Sequence, residues 1–352
     1  MTKIFTGFAF LTLLVLMLSS CRLLRSTAGA PRKHKGNTGD NNTNTAGKNP
    51  VYNTGTFTGT LLKNIAYTTA ADYKGTEQKL AFDVYKPANA DGEKFPAIIL
   101  MHGGSFIGGD KANLSSTCSK LANNGYVVIS INYRLGWGFV SRSTTSCNDS
   151  TFLKQAIYRS VQDVHTALRF LAAHADDYNV DKNWIFLGGQ SAGAITALMT
   201  AYFQGKNADA FFPGFAQKLG SLDKDKNNAG ASFTLKGVIS MWGAFANPEL
   251  ITNETALPTI FFQGVKDKSV PFYSRTFVPC NGASMVYGTY PLYNRLKTLG
   301  ETAIAHVDPQ GGHGVFEEDF RINNILCFLH DVRQGIKKQV YLTGVQNSCD
   351  KQ

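Results

Sequence analysis

Only 17% of the 352 residues are charged, and no two cysteines stand in a Cys-x-x-Cys spacing. The second absence leaves a zinc ribbon or a thioredoxin-like redox site without its ligands, and no metal is expected. No internal repeat is visible. A binding face for nucleic acid is also missing, despite a formal charge of +10. Residues 1–50 hold seven Lys/Arg against one Asp, so most of the excess lies there. The rest of the chain carries a mixed surface, which excludes a basic binding face. What is present is apolar content of 43%, with 12% aromatics. That is enough to build a core, and it excludes a wholly disordered or collagen-like chain. The length fits one large domain or two small ones.

The N-terminus reads as an address. Lys3 precedes a fifteen-residue, mostly apolar run, Ile4 to Leu18. A membrane span needs about 20 residues, so the run fits a secretory signal peptide over residues 1–20. Leu18-Ser19-Ser20-Cys21 resembles the lipobox of bacterial lipoproteins. That resemblance implies lipidation of Cys21 and a chain anchored in the bacterial cell envelope after export. Residues 21–60 are rich in Gly, Asn and Thr without any hydrophobic period, and they read as a flexible tether. Beyond Cys21 stand Cys118, Cys147, Cys280, Cys327 and Cys349. Export permits disulfides, but an odd number leaves one thiol free or paired elsewhere, and the connectivity stays open.

Residues 61–345 alternate strand-like and helix-like segments. Unbroken runs such as Ala97-Ile98-Ile99-Leu100-Met101 predict strands buried on both faces of a parallel sheet. Similar runs occur at Leu80–Tyr85, Tyr126–Asn132, Trp184–Leu187, Leu235–Met241, Thr259–Phe262 and Ala303–Val307. Between them, Ser160–Ala173, Ala192–Phe203 and Ile322–Val332 carry helical patterns. The alternation predicts an α/β fold with a mostly parallel central sheet and helices on both faces. Its site is expected at the carboxyl ends of the strands. Residues 204–232 form a long polar connection with the length of a lid. Within it, Asp223-x-Asp225-x-Asn227 imitates a calcium loop but lacks the Gly and the closing Glu, so it reads as a solvated loop.

Gly189-Gln190-Ser191-Ala192-Gly193 lies between the Trp184–Leu187 strand and the helix from Ala192. A serine on such a tight turn is exposed and positioned for attack. His102-Gly103-Gly104-Ser105-Phe106 ends the Ala97–Met101 strand, and its glycines leave N–H groups free to face a developing oxyanion. A serine nucleophile needs a base and an orienting acid. His313 lies in Gln310-Gly311-Gly312-His313-Gly314, a loop placed after the final strand pattern. Asp267 follows the Thr259–Phe262 strand, and it suits the acid better than Asp308, only five residues before His313.

With these stretches in order over about 80–330, the sequence resembles the α/β-hydrolases, in particular the carboxylesterase and hormone-sensitive-lipase-like esterases. Ile131-Asn132-Tyr133-Arg134-Leu135 and Asp163–Leu171 add to the match. The resemblance implies Ser191 as nucleophile, Asp267 as acid and His313 as base. It implies oxyanion N–H groups from Gly103, Gly104 and Ala192, no cofactor, and structural roles for Arg134 and Asp163. Two positions depart from the pattern. Ser105 stands where many relatives have a third glycine, and Gln190 replaces an acidic residue common before the serine.

The expected activity is hydrolysis of carboxylic esters, including acetyl or feruloyl esters on polysaccharide-derived material. An amidase or peptidase using the same three residues, or a non-catalytic binding module on this fold, are the competing readings. The expected partners are an ester substrate and a membrane reached through the lipid anchor.

Overall fold

A computed structural model of the chain describes residues 56–349, apart from 89, 91, 138–147, 204–205, 224–227, 229 and 277–283. The leader, Cys21, most of the tether, Phe139, Cys147 and Cys280 lie outside the described residues. In chain order the elements are β1 (Thr60–Ala71), β2 (Glu77–Lys86), β3 (Phe95–Met101), α1 (Ser115–Ala122), β4 (Val127–Ile131) and α2 (Asn148–Ala173). Then come β5 (Val180–Gln190), α3 (Ala192–Tyr202), α4 (Lys206–Phe211), α5 (Phe215–Leu219), β6 (Leu235–Met241) and β7 (Thr259–Gly264). The chain continues with β8 (Ser274–Thr276), β9 (Met285–Tyr287), α6 (Thr289–Thr298), β10 (Ala303–Asp308), α7 (Glu318–Arg333) and β11 (Gln339–Thr343).

Among the described residues, the main sheet runs β1-β2-β4-β3-β5-β6-β7-β10-β11. β1 with β2, and β2 with β4, pair antiparallel; every other neighbouring pair is parallel. The alternation of side chains across a strand explains why β3 lacks polar residues. Ala97, Ile99 and Met101 join one core with α2, α3 and α6. Ile98 and Leu100 join the opposite core with α1 and α7. Fully burying each such aliphatic side chain contributes about 1.5–3 kcal/mol.

The apolar runs of the sequence become β2 to β7 and β10. Two expectations need correcting. β10 is followed by a further strand, β11, so His313 does not come after the final strand. The 204–232 connection also carries two short helices. Phe212 is fully buried there and Phe215 nearly so, in an aromatic cluster with Tyr158 and Phe203. Asp223 of the calcium-loop lookalike pairs with Arg169 instead.

At the other end of the sheet, Glu318 at the start of α7 accepts from Ser116, Thr117 and Lys120 of α1. A disulfide joins Cys327 of α7 to Cys349, and Cys118 is a buried free thiol.

Candidate active site

The β5–α3 turn places Ser191 at φ 54° and ψ −116°. Positive φ is uncommon for a residue with a side chain and holds only where the surroundings enforce it. Here they do: Ser191 N–H donates to the Met241 carbonyl at 2.9 Å, and the Ser191 carbonyl accepts from Ile195 at 2.9 Å. α3 also crosses the end of β3 so closely that a Cβ on Gly193 would lie 2.1 Å from the Met101 carbonyl oxygen. Only glycine fits there.

Asp267 and His313 come from two loops that are stitched together. Lys266 N–H donates to the Gly311 carbonyl at 2.9 Å, and Val265 N–H to that of Asp308 at 2.9 Å. A Cβ on Gly264 would meet Gly311 oxygen at 2.3 Å, so this contact too requires glycine. The sequence singled out His313 but gave no sign that its loop is fastened to the one carrying Asp267.

The three side chains form one hydrogen-bonded line. His313 Nδ1 lies 2.8 Å from Asp267 Oδ2, and His313 Nε2 lies 2.9 Å from Ser191 Oγ. A carboxylate only accepts, so Nδ1 carries the proton and Nε2 is the acceptor facing the serine hydroxyl. The Asp267 side chain is fully buried, while His313 is 31% exposed. Burial pushes the Asp267 carboxyl up, but the bonds from His313 and from the Val270 and Ser269 N–H groups outweigh it. The net direction is down, so the carboxylate stays charged beside the imidazole. Asp308 accepts instead from the Gln310 N–H in its own turn.

Gly103 lies against the serine, with its Cβ direction 3.4 Å from Ser191 Cβ. Among the described residues, no backbone carbonyl accepts from the N–H of Gly103, Gly104 or Ala192. Gly103 adjoins Ser191 in space and Ala192 follows it in the chain, so at least these two donors stand near the serine. The turn is held from below by a residue whose role the sequence did not reveal. Tyr133 stacks on His102, with ring centroids 4.6 Å apart, and its hydroxyl donates to the His102 carbonyl at 2.7 Å. Ser105, the departure from a third glycine, sits at φ 54°, and Phe106 at φ 61°. Trp137 Nε1 donates to the Ser105 carbonyl at 3.0 Å. Trp242, at φ 47°, sets its ring 6.1 Å from that of His313, and the Arg321 guanidinium lies over it at 5.3 Å. Phe106, Trp242 and Phe245 are buried packing residues. Arg134 and Asp163 pair with each other, apart from this line.

Three comparisons bear on this arrangement. The BD-FAE family matches residues 82–246. A probable isoprenylcysteine alpha-carbonyl methylesterase of Arabidopsis thaliana is 30% identical over 126 residues, which cover 36% of this chain and 23% of that protein. The fumonisin B1 esterase of Sphingopyxis macrogoltabida is 28% identical over 160 residues, covering 44% and 29%. The chain thus spans less than a third of the length of these curated relatives. Among solved structures, Thermogutta terrifontis esterase 2 phosphorylated by paraoxon superposes with a TM-score of 0.55 at 18% identity, covering 78% of this chain and 95% of that one. Its butyrate-bound form gives a TM-score of 0.53 at 18% identity, covering 78% and 95%. The chain has the α/β-hydrolase fold, and its residues 82–246 are similar to the BD-FAE family.

Proposed function

We propose that this protein is a serine hydrolase of carboxylic esters. The observation that carries the reading is the line from Ser191 Oγ through His313 to the buried Asp267. The likeness to named esterases supports it.

In the mechanism, His313 Nε2 takes the hydroxyl proton as Ser191 Oγ attacks the ester carbonyl carbon. Asp267 holds the imidazolium that forms. The N–H groups of Gly103, Gly104 and Ala192 face the oxyanion, each such donor contributing about 2.7–4 kcal/mol. His313 then gives the proton to the leaving alcohol. It next takes a proton from water, which cleaves the acyl-enzyme and restores the serine. Nothing in this sequence of steps requires a metal or organic cofactor.

The test uses p-nitrophenyl acetate and butyrate, with paraoxon as a covalent probe. The wild type should hydrolyse the esters, and paraoxon should leave one diethylphosphoryl group on Ser191. A folded Ser191→Ala protein should do neither. Equal ester hydrolysis by that variant would overturn the reading.

The same proposal places the protein outside the cytoplasm, anchored through a lipid on Cys21, acting on acetyl or feruloyl esters of polysaccharide-derived material. The Cys327–Cys349 disulfide supports an oxidising compartment. Incorporation of labelled fatty acid into the wild type but not into Cys21→Ala tests the anchor. Release of acetate or ferulate from polysaccharide fragments tests the substrate.

A further inference from the structure

A cavity of about 1050 Å³ opens away from the Ser191 line, and none of Ser191, Asp267, His313, Gly103 or Gly104 borders it. Its walls are the end of β1 with the β1–β2 turn, Arg134 after β4, the middle of α2 and the end of α5. Two of its wall residues stand out. Gln155 and Arg159 are 7% and 8% exposed, and they lie one helical turn apart on α2, so they share a face. Neither side chain has a hydrogen-bond or ion-pair partner among the described residues.

A guanidinium taken out of water without a counter-ion costs several kcal/mol. The two acids that act on Arg159 are already engaged, and Glu77, the third acid on the wall, is exposed to solvent. Asp163 holds Arg134 through its N–H at 2.7 Å and its Nε at 2.8 Å. Asp72 accepts from the N–H groups of Lys74 and Thr76 at 2.8 and 2.9 Å. Gln162, the next polar residue along α2, is spent on Arg134 and on the carbonyls of Leu219, Gly220 and Ser221. Burial and the nearby Arg134 both push the Arg159 guanidinium down, against the pull of Asp163 and Asp72. Lys74 and Lys218 also border the cavity, and its bordering charges leave an excess of one positive. Tyr73 and Phe152 border it too, at 39% and 41% exposure.

We propose that this cavity is a binding site for a carboxylate carried on a ring, an aromatic acid or a sugar acid. The fork of Arg159 fits a planar carboxylate with two parallel N–H···O bonds. The Gln155 amide supplies a further donor, and Tyr73 or Phe152 covers the ring. A single positive excess matches a single carboxylate. The inference does not depend on the esterase reading, since the site shares no residue with Ser191, Asp267 or His313.

The test is calorimetric titration of the full chain in detergent with benzoate and with D-glucuronate, with inorganic phosphate as a third probe. At least one of the two carboxylates should bind saturably and raise the melting temperature. Arg159→Met keeps the length of the side chain while removing the charge. It should melt no lower than wild type without ligand. It should bind the carboxylate about tenfold to hundredfold more weakly, as expected for a lost hydrogen-bonded charge pair. Ser191→Ala should bind it unchanged. The proposal falls if neither carboxylate saturates, if phosphate binds in their place, or if Arg159→Met binds as well as wild type. It falls equally if Ser191→Ala, rather than Arg159→Met, loses the binding.

Discussion

Two polar clusters in this fold handle burial in opposite ways. Ser191, His313 and Asp267 satisfy one another in a line, with the carboxylate at its buried end and the serine hydroxyl at the other. Arg134 and Asp163 also satisfy each other, but Arg159 and Gln155 beside them are left facing a cavity. In the proposed reaction the first arrangement moves a proton, and its serine is held at positive φ. The second holds a fold together and leaves donors over. A matched pair is evidence of mechanism only where one member is a nucleophile at hydrogen-bond distance from a base. Otherwise it is evidence of architecture, and the unmatched neighbour is the place to look for a ligand.

The sharpest way to break the comparison is to swap the acid in each cluster. Asp267→Asn keeps the shape but removes the charge that fixes the His313 tautomer. Ester turnover should fall about 10⁴-fold, while the melting temperature shifts by only a few degrees. Steady-state kinetics and calorimetry on one preparation check both. Asp163→Ala should do the reverse. It strands Arg134, whose side chain is 10% exposed, without its counter-ion. Stability should drop by about 3–5 kcal/mol in urea titrations. Turnover per folded molecule should stay within a few-fold of wild type. If Asp163→Ala cut turnover as deeply as Asp267→Asn, the two clusters would be one.

A third buried group belongs to neither cluster and sets the pH background for both. His306 on β10 is fully buried, 5.0 Å from the ring of Phe262 and bordered by Phe316 and Phe320. Burial pushes its imidazole down to about 4, against a weaker pull from the Gln346 backbone. The unfolded chain titrates near 6.5. Between those values the unfolded state holds the extra proton, so stability rises with pH and is lost as pH falls from about 6.5 to 4. The loss from this one group is at most about 3 kcal/mol. His165, also pushed down to about 4 by burial, acts in the same direction. Urea titrations at pH 7 and pH 5 should show this fall in wild type and a smaller one in His306→Phe. An equal fall in both would assign the slope to other groups.

The parts of this structure legible in the sequence are those whose local pattern and final environment agree. β3 is apolar throughout because it is covered on both faces, and the Gly-x-Ser-x-Gly turn is glycine-rich because α3 crosses β3 at contact distance. Where environment overrides pattern, the sequence misleads. β1 lies at the sheet edge with register shifts near Leu62–Ile65 and Ala66–Thr68, which interrupt its alternation. β11 is the other edge, and four of its five residues are not buried. α6 contains Pro291, which reads as a breaker but is tolerated in a first turn. α2 begins at Asn148, well before the predicted Ser160. Its first half carries Gln155 and Arg159 on a buried face, and those polar residues blur the apolar stripe. The site shows the same division. Ser191, Asp267 and His313 were legible from motif and order, whereas the stitching of their loops and the Tyr133 support under His102 depend on contacts between distant segments.

The smallest expected effect separates strain that serves chemistry from strain that does not. Ser105 and Ser191 share φ 54°, and each follows the carboxyl end of a strand, β3 and β5. Positive φ costs a residue with a side chain roughly 1–2 kcal/mol. At Ser191 the side chain cannot be removed without losing the proposed nucleophile. At Ser105 the side chain is exposed, and the bond from Trp137 goes to its carbonyl, which glycine retains. Ser105→Gly should therefore relieve the strain, offset in part by about 0.5–1 kcal/mol for the freer unfolded chain. The net gain should be near 0.5–1 kcal/mol, a rise of about 1–3 °C in melting temperature. Ester turnover should stay within twofold, because the Gly103 and Gly104 N–H groups keep their places. A larger fall in turnover would mean that the Ser105 hydroxyl itself reaches the oxyanion, and that the strain at both serines serves the reaction.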